Sequence, residues 1–317
     1  MVRTLSRVTC VPHNRGMDLR QVVVWSPRYA ADFGEHVFPT EKYEGVIDAL
    51  IEAGDLPDHE GLEPPRPTRA LLEVVHEPEY LDEFERLEWT PRTQFSELPL
   101  TASIVDSYST AASGTTEAMR RALRHGAAVH VGGGLHHAYA GKAEGFCYIN
   151  DLAVAAEVAL RDEYVDRVAI VDLDVHQGNG TAHIFRGRRD VFTLSVHQEN
   201  NYPVPKERST LDVGLEDGTD DAAYASALAP ALERLWAFAP KLVIYQAGAD
   251  PYHDDQLGGL ALSFEGLEAR DRAVLDGCAS RGIPVVSTLG GGYAHDVADT
   301  IRIHTTTARR TLDLVRG

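Results

Sequence analysis

Cysteine is scarce in this chain: three in 317 residues, at positions 10, 147 and 278, with no Cys-x-x-Cys pair. That excludes a disulfide framework and a cysteine-ligated zinc site, and it fits a reducing cytoplasm. Lysine is rare beside arginine, standing only at 42, 142, 206 and 241, which reads as bacterial base composition rather than function. No apolar run approaches the roughly 18 residues that a membrane span needs. The first twenty residues lack the continuous apolar core of a secretory signal, so residues 1–20 are expected to form a disordered leader and 21–317 one domain. Basic clusters are missing too. The densest, "RGRRD" at 186–190, reads as a solvated helix end, and a net charge of −18 argues against nucleic acid as a partner. An acidic surface can attract cationic substrates, though any cytosolic protein can carry one.

What is present is patterned. Apolar residues make up 44% and charged residues 25%, enough for a large globular core. From residue 127 onward short apolar runs alternate with helical periodicity. Strands are predicted at 127–131, 168–172, 191–196, 242–246 and 284–289. Helices are predicted at 99–124, 151–161, 222–238, 264–281 and 294–310. In 264–281, Leu267, Val274, Leu275 and Cys278 share one face of a 3.6-residue period. Strands alternating with helices mean βα units on a parallel sheet, and such sheets bind ligands beyond the carboxyl ends of their strands.

The unusual residues fall at those ends. The first strand runs into "GGGLHH", ending in His136 and His137; the second ends at Asp172 and delivers Asp174 and His176 within "DLDVHQGNG". The third carries Ser195, the fourth leads through "AGAD" to Asp250, and the fifth through "GGGY" to Tyr293. Any one of these alone would read as a loop cap or a packed side chain. Together they predict a site. Asp174 and His176 are two apart and point the same way on extended backbone. With Asp250 they make a donor set suited to Zn²⁺, Fe²⁺ or Co²⁺, three protein ligands being the catalytic arrangement. Asp172 suits a second role, orienting a histidine, and with nearby carbonyls and Ser195 it could cage a monovalent cation. One of His136 and His137 can act as general base, and a phenol at 293 can stabilise an oxyanion. Phe146, in "GFCYIN" before a helix opening at Asp151, could wall a channel. His130, inside a strand, reads as a satisfied core residue.

The stretches "GGGLHHA…GFCYINDLAVA", "VDLDVHQGNGT", "YQAGADPYHDDQLGGLALS" and "GGGY" resemble the zinc-dependent histone deacetylase family, in the forms of its class IV branch and bacterial relatives. The resemblance runs over about residues 37–310. It implies the arginase/deacetylase fold, a single α/β domain around an eight-stranded parallel sheet, with Asp174, His176 and Asp250 as zinc ligands. It also implies His136 and His137 as the paired histidines, His137 being the acid/base, and Tyr293 as the transition-state tyrosine. Phe146, with Gly145 and Gly291, would line the substrate channel. A structural K⁺ would sit among Asp172, Ser195 and main-chain oxygens of Asp174, His176 and Val196.

The chain departs from parts of that family at Asn179, where some members carry aspartate behind the second histidine, and at Gln177, where others carry histidine. Binuclear ureohydrolases of the same fold need extra carboxylates where this chain has Gly178 and Tyr252, so a mononuclear site is expected. The expected reaction is hydrolysis of an N-acyl amine, with Nε-acyl-lysine of a peptide or protein as first substrate. Acetylpolyamine, another small amide or an acylated natural product are the alternatives, and a non-catalytic acyl-binding protein is a further one.

Overall fold

The computed structural model describes residues 18–58 and 63–316. Cys10, most of the expected leader and the first residues of the Pro-rich stretch at 61–70 lie outside them. Among the described residues seven strands form one sheet: β1 (Val23–Val24), β2 (Ala127–His130), β3 (Val168–Asp172), β4 (Val191–Gln198), β5 (Leu211–Leu215), β6 (Leu242–Gln246) and β7 (Val285–Thr288). The order is β1-β2-β7-β6-β3-β4-β5, and every pairing is parallel. The helices are α1 (Glu41–Glu52), α2 (Arg69–Leu72), α3 (Pro78–Glu85), α4 (Ala102–His125), α5 (Asp151–Arg161), α6 (Asn179–Ile184), α7 (Asp221–Phe238), α8 (Phe264–Ala279) and α9 (Val297–Arg316). α4 and α5 pack together on one side of the sheet, and α1, α9, α8 and α7 pack in succession on the other. No described helix is long and apolar enough to cross a membrane.

The five predicted strands are all present, because β2, β3, β4, β6 and β7 are buried along their whole length and strands covered on both faces read as apolar runs. The two strands that sequence reading missed are the sheet edges. β1 has two residues, and β5, "LDVGL", is largely half-exposed and interrupted by glycine. The expected eighth strand is not found among the described residues. Ala261 and Leu262 reach only single bridges, to Asp220 and Tyr252, and Ser263 at once caps α8 by accepting from Gly266 N at 3.0 Å, which leaves no length for a ladder.

Helix ends follow their caps. Thr101 caps α4, so the predicted start at 99 moves inward, and Gly126 at φ 98° ends it. α9 starts three residues later than predicted and runs to Arg316, with Asp296 holding Ala298 N at 2.9 Å just before its first turns. At α5 the cap is Asn150, whose Oδ1 accepts from Ala153 N at 2.9 Å. That leaves the carboxylate of Asp151 free to turn back and accept from the backbone of Leu135 at 2.7 Å and Gly134 at 3.1 Å.

The strand order places the chemistry. β2 and β3 are consecutive in the chain, yet β7 and β6 lie between them. The loops after β2, β7, β6 and β3 therefore meet at one edge, at the kind of crossover where open α/β sheets bind ligands. Asn150 ties two of these loops together. Its Nδ2 donates to Ala138 O and to Thr181 Oγ1, each at 3.0 Å. Replacing it by alanine removes a helix cap and strands buried acceptors. Asn150→Ala is expected to lower stability by about 2–3 kcal/mol, read as a lower midpoint in equilibrium urea unfolding; an unchanged midpoint would contradict this role.

Candidate metal centre and catalytic pocket

Asp174, His176 and Asp250 present donor atoms within 4.8 Å of one another, all buried. Nδ1 of His176 lies 3.1 Å from Asp174 Oδ1 and 3.4 Å from Asp250 Oδ2. Backbone amides fix the carboxylates: Val175 N donates to Asp250 Oδ1 at 2.8 Å, and Gly291 N to Asp174 Oδ2 at 3.1 Å. Gln246, at the end of β6, donates from Nε2 to Asp174 Oδ2 at 2.7 Å. Asp250 Oδ2 is buried with no hydrogen-bond donor among the described residues. Cβ atoms on Gly248 or Gly291 would run into the two carboxylates, so glycine at both positions keeps this space open.

The electrostatics match a cation site. Burial and the neighbouring Asp174 push the carboxyl of Asp250 up. Burial alone would lower His176, but the carboxylates of Asp174 and Asp250 beside its ring outweigh it and raise its pKa to about 10. Two acidic oxygens and one imidazole nitrogen, buried and mutually strained by like charge, fit one divalent cation of the borderline kind.

Around this centre lies a cavity of about 220 Å³ lined by Phe38, His136, His137, Phe146, Tyr202 and Tyr293, among others. His136 Nδ1 donates to Asp172 Oδ2 at 2.7 Å. Burial opposes its charge, but Asp172 and Asp174 prevail and hold it up to about 9. His137 Nδ1 donates to Asn179 Oδ1 at 2.6 Å. Burial and the neighbouring His136 and His176 keep His137 well below the usual imidazole range, so the two adjacent histidines are pushed in opposite directions. Tyr293 is anchored by its backbone N–H on Asp255 Oδ2 at 2.7 Å; burial and then Asp250 and Asp174 raise its phenol, which stays a donor.

Phe146 adopts φ 61° after Gly145 at 49°, a conformation uncommon for a non-glycine residue and often tied to function. Its carbonyl accepts from Tyr108 OH at 2.5 Å. Ser195 is paired in register with Asp172, with Val196 next to it, and Ser195 Oγ lies 2.9 Å from His197 Nδ1. His130 is buried between Thr115 and Tyr29, the core role predicted for it.

Several supports were missed by sequence reading. Lys42 is fully buried, donates from Nζ to Gly290 O at 2.8 Å and stands 4.7 Å over the Phe38 ring. Arg270 is buried and donates to Leu173 O at 3.2 Å and Gly248 O at 2.6 Å, clamping the loops that carry Asp174 and Asp250. Tyr202 packs edge-on to His137 at 5.0 Å between ring centroids. Gln177, noted in the sequence only as a departure from the family pattern, donates to Glu207 O at 2.8 Å. Gln246 was missed too, although it left a signal, a polar residue closing an apolar run.

A model of the histone deacetylase domain matches residues 36–309. An uncharacterized protein of Picosynechococcus sp. is 42% identical over 295 residues, spanning 92% of this chain and 98% of its own length. Histone deacetylase 2 of Arabidopsis thaliana is 31% identical over 281 residues, 84% of this chain and 73% of that one. Among solved structures the HD domain of HDA15 superposes with a TM-score of 0.77 at 25% identity, covering 93% of this chain and 91% of that one. An acetylpolyamine aminohydrolase from Burkholderia pseudomallei superposes at 0.74 and 25% identity, covering 92% and 98%.

Ligation requires Asp250 ionised and His176 neutral, whereas burial raises Asp250 to about 7 and the neighbouring carboxylates raise His176 to about 10. Binding of Zn²⁺ to metal-free protein at pH 7 should therefore release about one or more protons per ion, and affinity should fall as pH drops. Calorimetry in buffers of different ionisation enthalpy reads this directly; zero proton release would count against these residues as ligands.

Proposed function

The chain belongs to the histone deacetylase family and is a deacetylase-type hydrolase, and on that premise we propose that it hydrolyses Nε-acyl-lysine side chains with one divalent cation, Zn²⁺ first among the candidates. The observation that carries this is the placing of His137 in the cavity wall, its Nδ1 against Asn179 Oδ1, beside the Asp174–His176–Asp250 cluster and the Tyr293 phenol. A divalent cation held by those three residues would lower the pKa of water from 15.7 toward about 7 and polarise an acyl carbonyl.

The protein's own groups supply the rest. With Nδ1 donating, His137 keeps Nε2 free to take a proton from the attacking water and to return it to the departing amine. The Tyr293 phenol donates to the oxygen on which negative charge develops. His136 keeps its proton against Asp172 and faces the same charge. Phe146 and Tyr202 wall a passage suited to a methylene chain. Asp172, Ser195 and the Val196 backbone are proposed to hold a K⁺ behind the centre, since carboxylate, hydroxyl and carbonyl oxygens suit a hard cation. The buried free thiols Cys147 and Cys278 suit a reducing cytoplasm.

Exposed Phe95 and Val204, 51% and 85% accessible, favour a peptide. Phe95 passes its carbonyl to Gly145 N at 3.1 Å, and Val204 follows Tyr202 by two residues, so both sit close to the cavity. Glu97, exposed and lining the same cavity, favours the second reading, an acylated polyamine whose distal ammonium it would meet. Comparing kcat/KM for acetyl-lysine peptides with that for acetylpolyamines decides between them. The lysine reading expects the peptides to lead, and a polyamine lead overturns it.

Tyr293→Phe should reduce kcat by about 10²–10³-fold with little change in KM, the loss expected for one oxyanion donor; a rate near wild type removes Tyr293 from the mechanism. Asn179→Asp places a carboxylate behind His137 and raises its pKa. Because the base works only when neutral, the acidic limb of the kcat/KM profile should move to higher pH. An unmoved limb is the contrary result.

A further inference from the structure

The hydrogen bond between His137 and Asn179 has an ambiguity that a carboxylate would not. An asparagine offers either Oδ1 or Nδ2 to its neighbour, and the choice sets which nitrogen of the imidazole carries the proton. If Oδ1 faces His137, Nδ1 must donate and Nε2 is left as base. If Nδ2 faces it, Nδ1 must accept and Nε2 is protonated, which is useless for abstracting a proton. The choice cannot come from His137 itself, which can play either part.

It comes from the far side of the amide. Asn179 Nδ2 lies 2.7 Å from Glu144 Oε1 and 3.2 Å from Tyr139 OH. A carboxylate only accepts, so the amide must present its NH₂ group to Glu144 and its oxygen to His137. Glu144 is itself fixed. Its other oxygen is ion-paired with Lys142, whose Nζ stands 4.1 Å over the Tyr139 ring. Its backbone is bridged to Cys147 in both directions, N–H to O and O to N–H, each at 2.9 Å. The side chain of Glu144 is largely buried, 16% accessible, and Asn179 is 1% accessible, so water does not compete freely for the amide.

We propose that Glu144 is a positioning residue: by orienting the Asn179 amide it sets the Nδ1–H tautomer of His137 and so makes that histidine a competent base. The inference rests on the reading of His137 as general base given above. In a chain whose second histidine is backed by an amide, a carboxylate one residue further out supplies the direction that the amide lacks.

The test is Glu144→Gln, which keeps shape but lets residue 144 donate as well as accept, so that the amide can turn over. With ¹⁵N-histidine labelling and long-range ¹H–¹⁵N spectra, wild-type His137 should show the Nδ1–H tautomer alone, and the variant a mixture. Turnover should show kcat lowered about 10–100-fold, the range for loss of a group that orients a functional side chain, with KM within about twofold. In an Asn179→Ala background there is no amide to orient, so the same substitution should cost at least about fivefold less, a non-additivity that marks coupling through Asn179. A single unchanged tautomer in Glu144→Gln overturns the proposal, as does an equal loss in both backgrounds, which would mark a merely structural role for the Lys142–Glu144 pair. The spectra are recorded without substrate, so they judge Glu144 even if no acyl amine is turned over, and failure of the functional reading remains distinguishable from failure of this one.

Discussion

Two carboxylates, Asp174 and Asp250, share one imidazole nitrogen in a buried space, and like charges so placed cannot both persist there unless a cation joins them. The protein spends much of its construction on keeping this arrangement. Gln246 and two backbone amides hold the acidic oxygens, two glycines clear the room around them, and the buried guanidinium of Arg270 grips the loops from behind. The positive charge of Arg270 is matched by Asp271 at 2.8 Å, and Asp271 is in turn held by Tyr245 at 2.5 Å. The candidate metal centre is thus the end of a polar network that runs through the core between β6 and α8.

The two histidines show how environment divides labour between like groups. They are neighbours in sequence, with ring centroids 4.0 Å apart. One faces a carboxylate and is driven toward the charged form; the other faces an amide and, lying beside two other imidazoles, is driven toward the neutral form. A pair of titratable groups pushed in opposite directions is a common signature of acid/base chemistry. Asn179 keeps His137 less basic than aspartate would, and the Glu144–Lys142 pair behind it restores orientation without placing a full negative charge on the ring.

The sequence already carried much of this. The ligand spacing in "DLDVHQGNG" and the placing of histidines, aspartate and tyrosine after successive apolar runs are local signals, and the parallel sheet that gathers them follows from βα alternation. Sheet edges were not legible, because β1 is too short and β5 too exposed to stand out by hydrophobicity. Asp151 was visible only as the start of a helix, since its bonds to Leu135 and Gly134 join residues sixteen and seventeen positions apart. Lys42 and Arg270 meet the centre across 248 and 97 residues of chain. Contacts of that range leave no periodicity, and a buried cation carries no motif.

The central claim is that one divalent ion in the Asp174–His176–Asp250 cluster is required for amide hydrolysis. Titrating chelator-stripped protein with Zn²⁺ while following acetyl-lysine peptide turnover tests it most directly. Activity should start at background, rise in proportion to added ion and level off at one equivalent per chain. Full turnover by protein shown to be metal-free, or a plateau requiring two equivalents, would contradict the account.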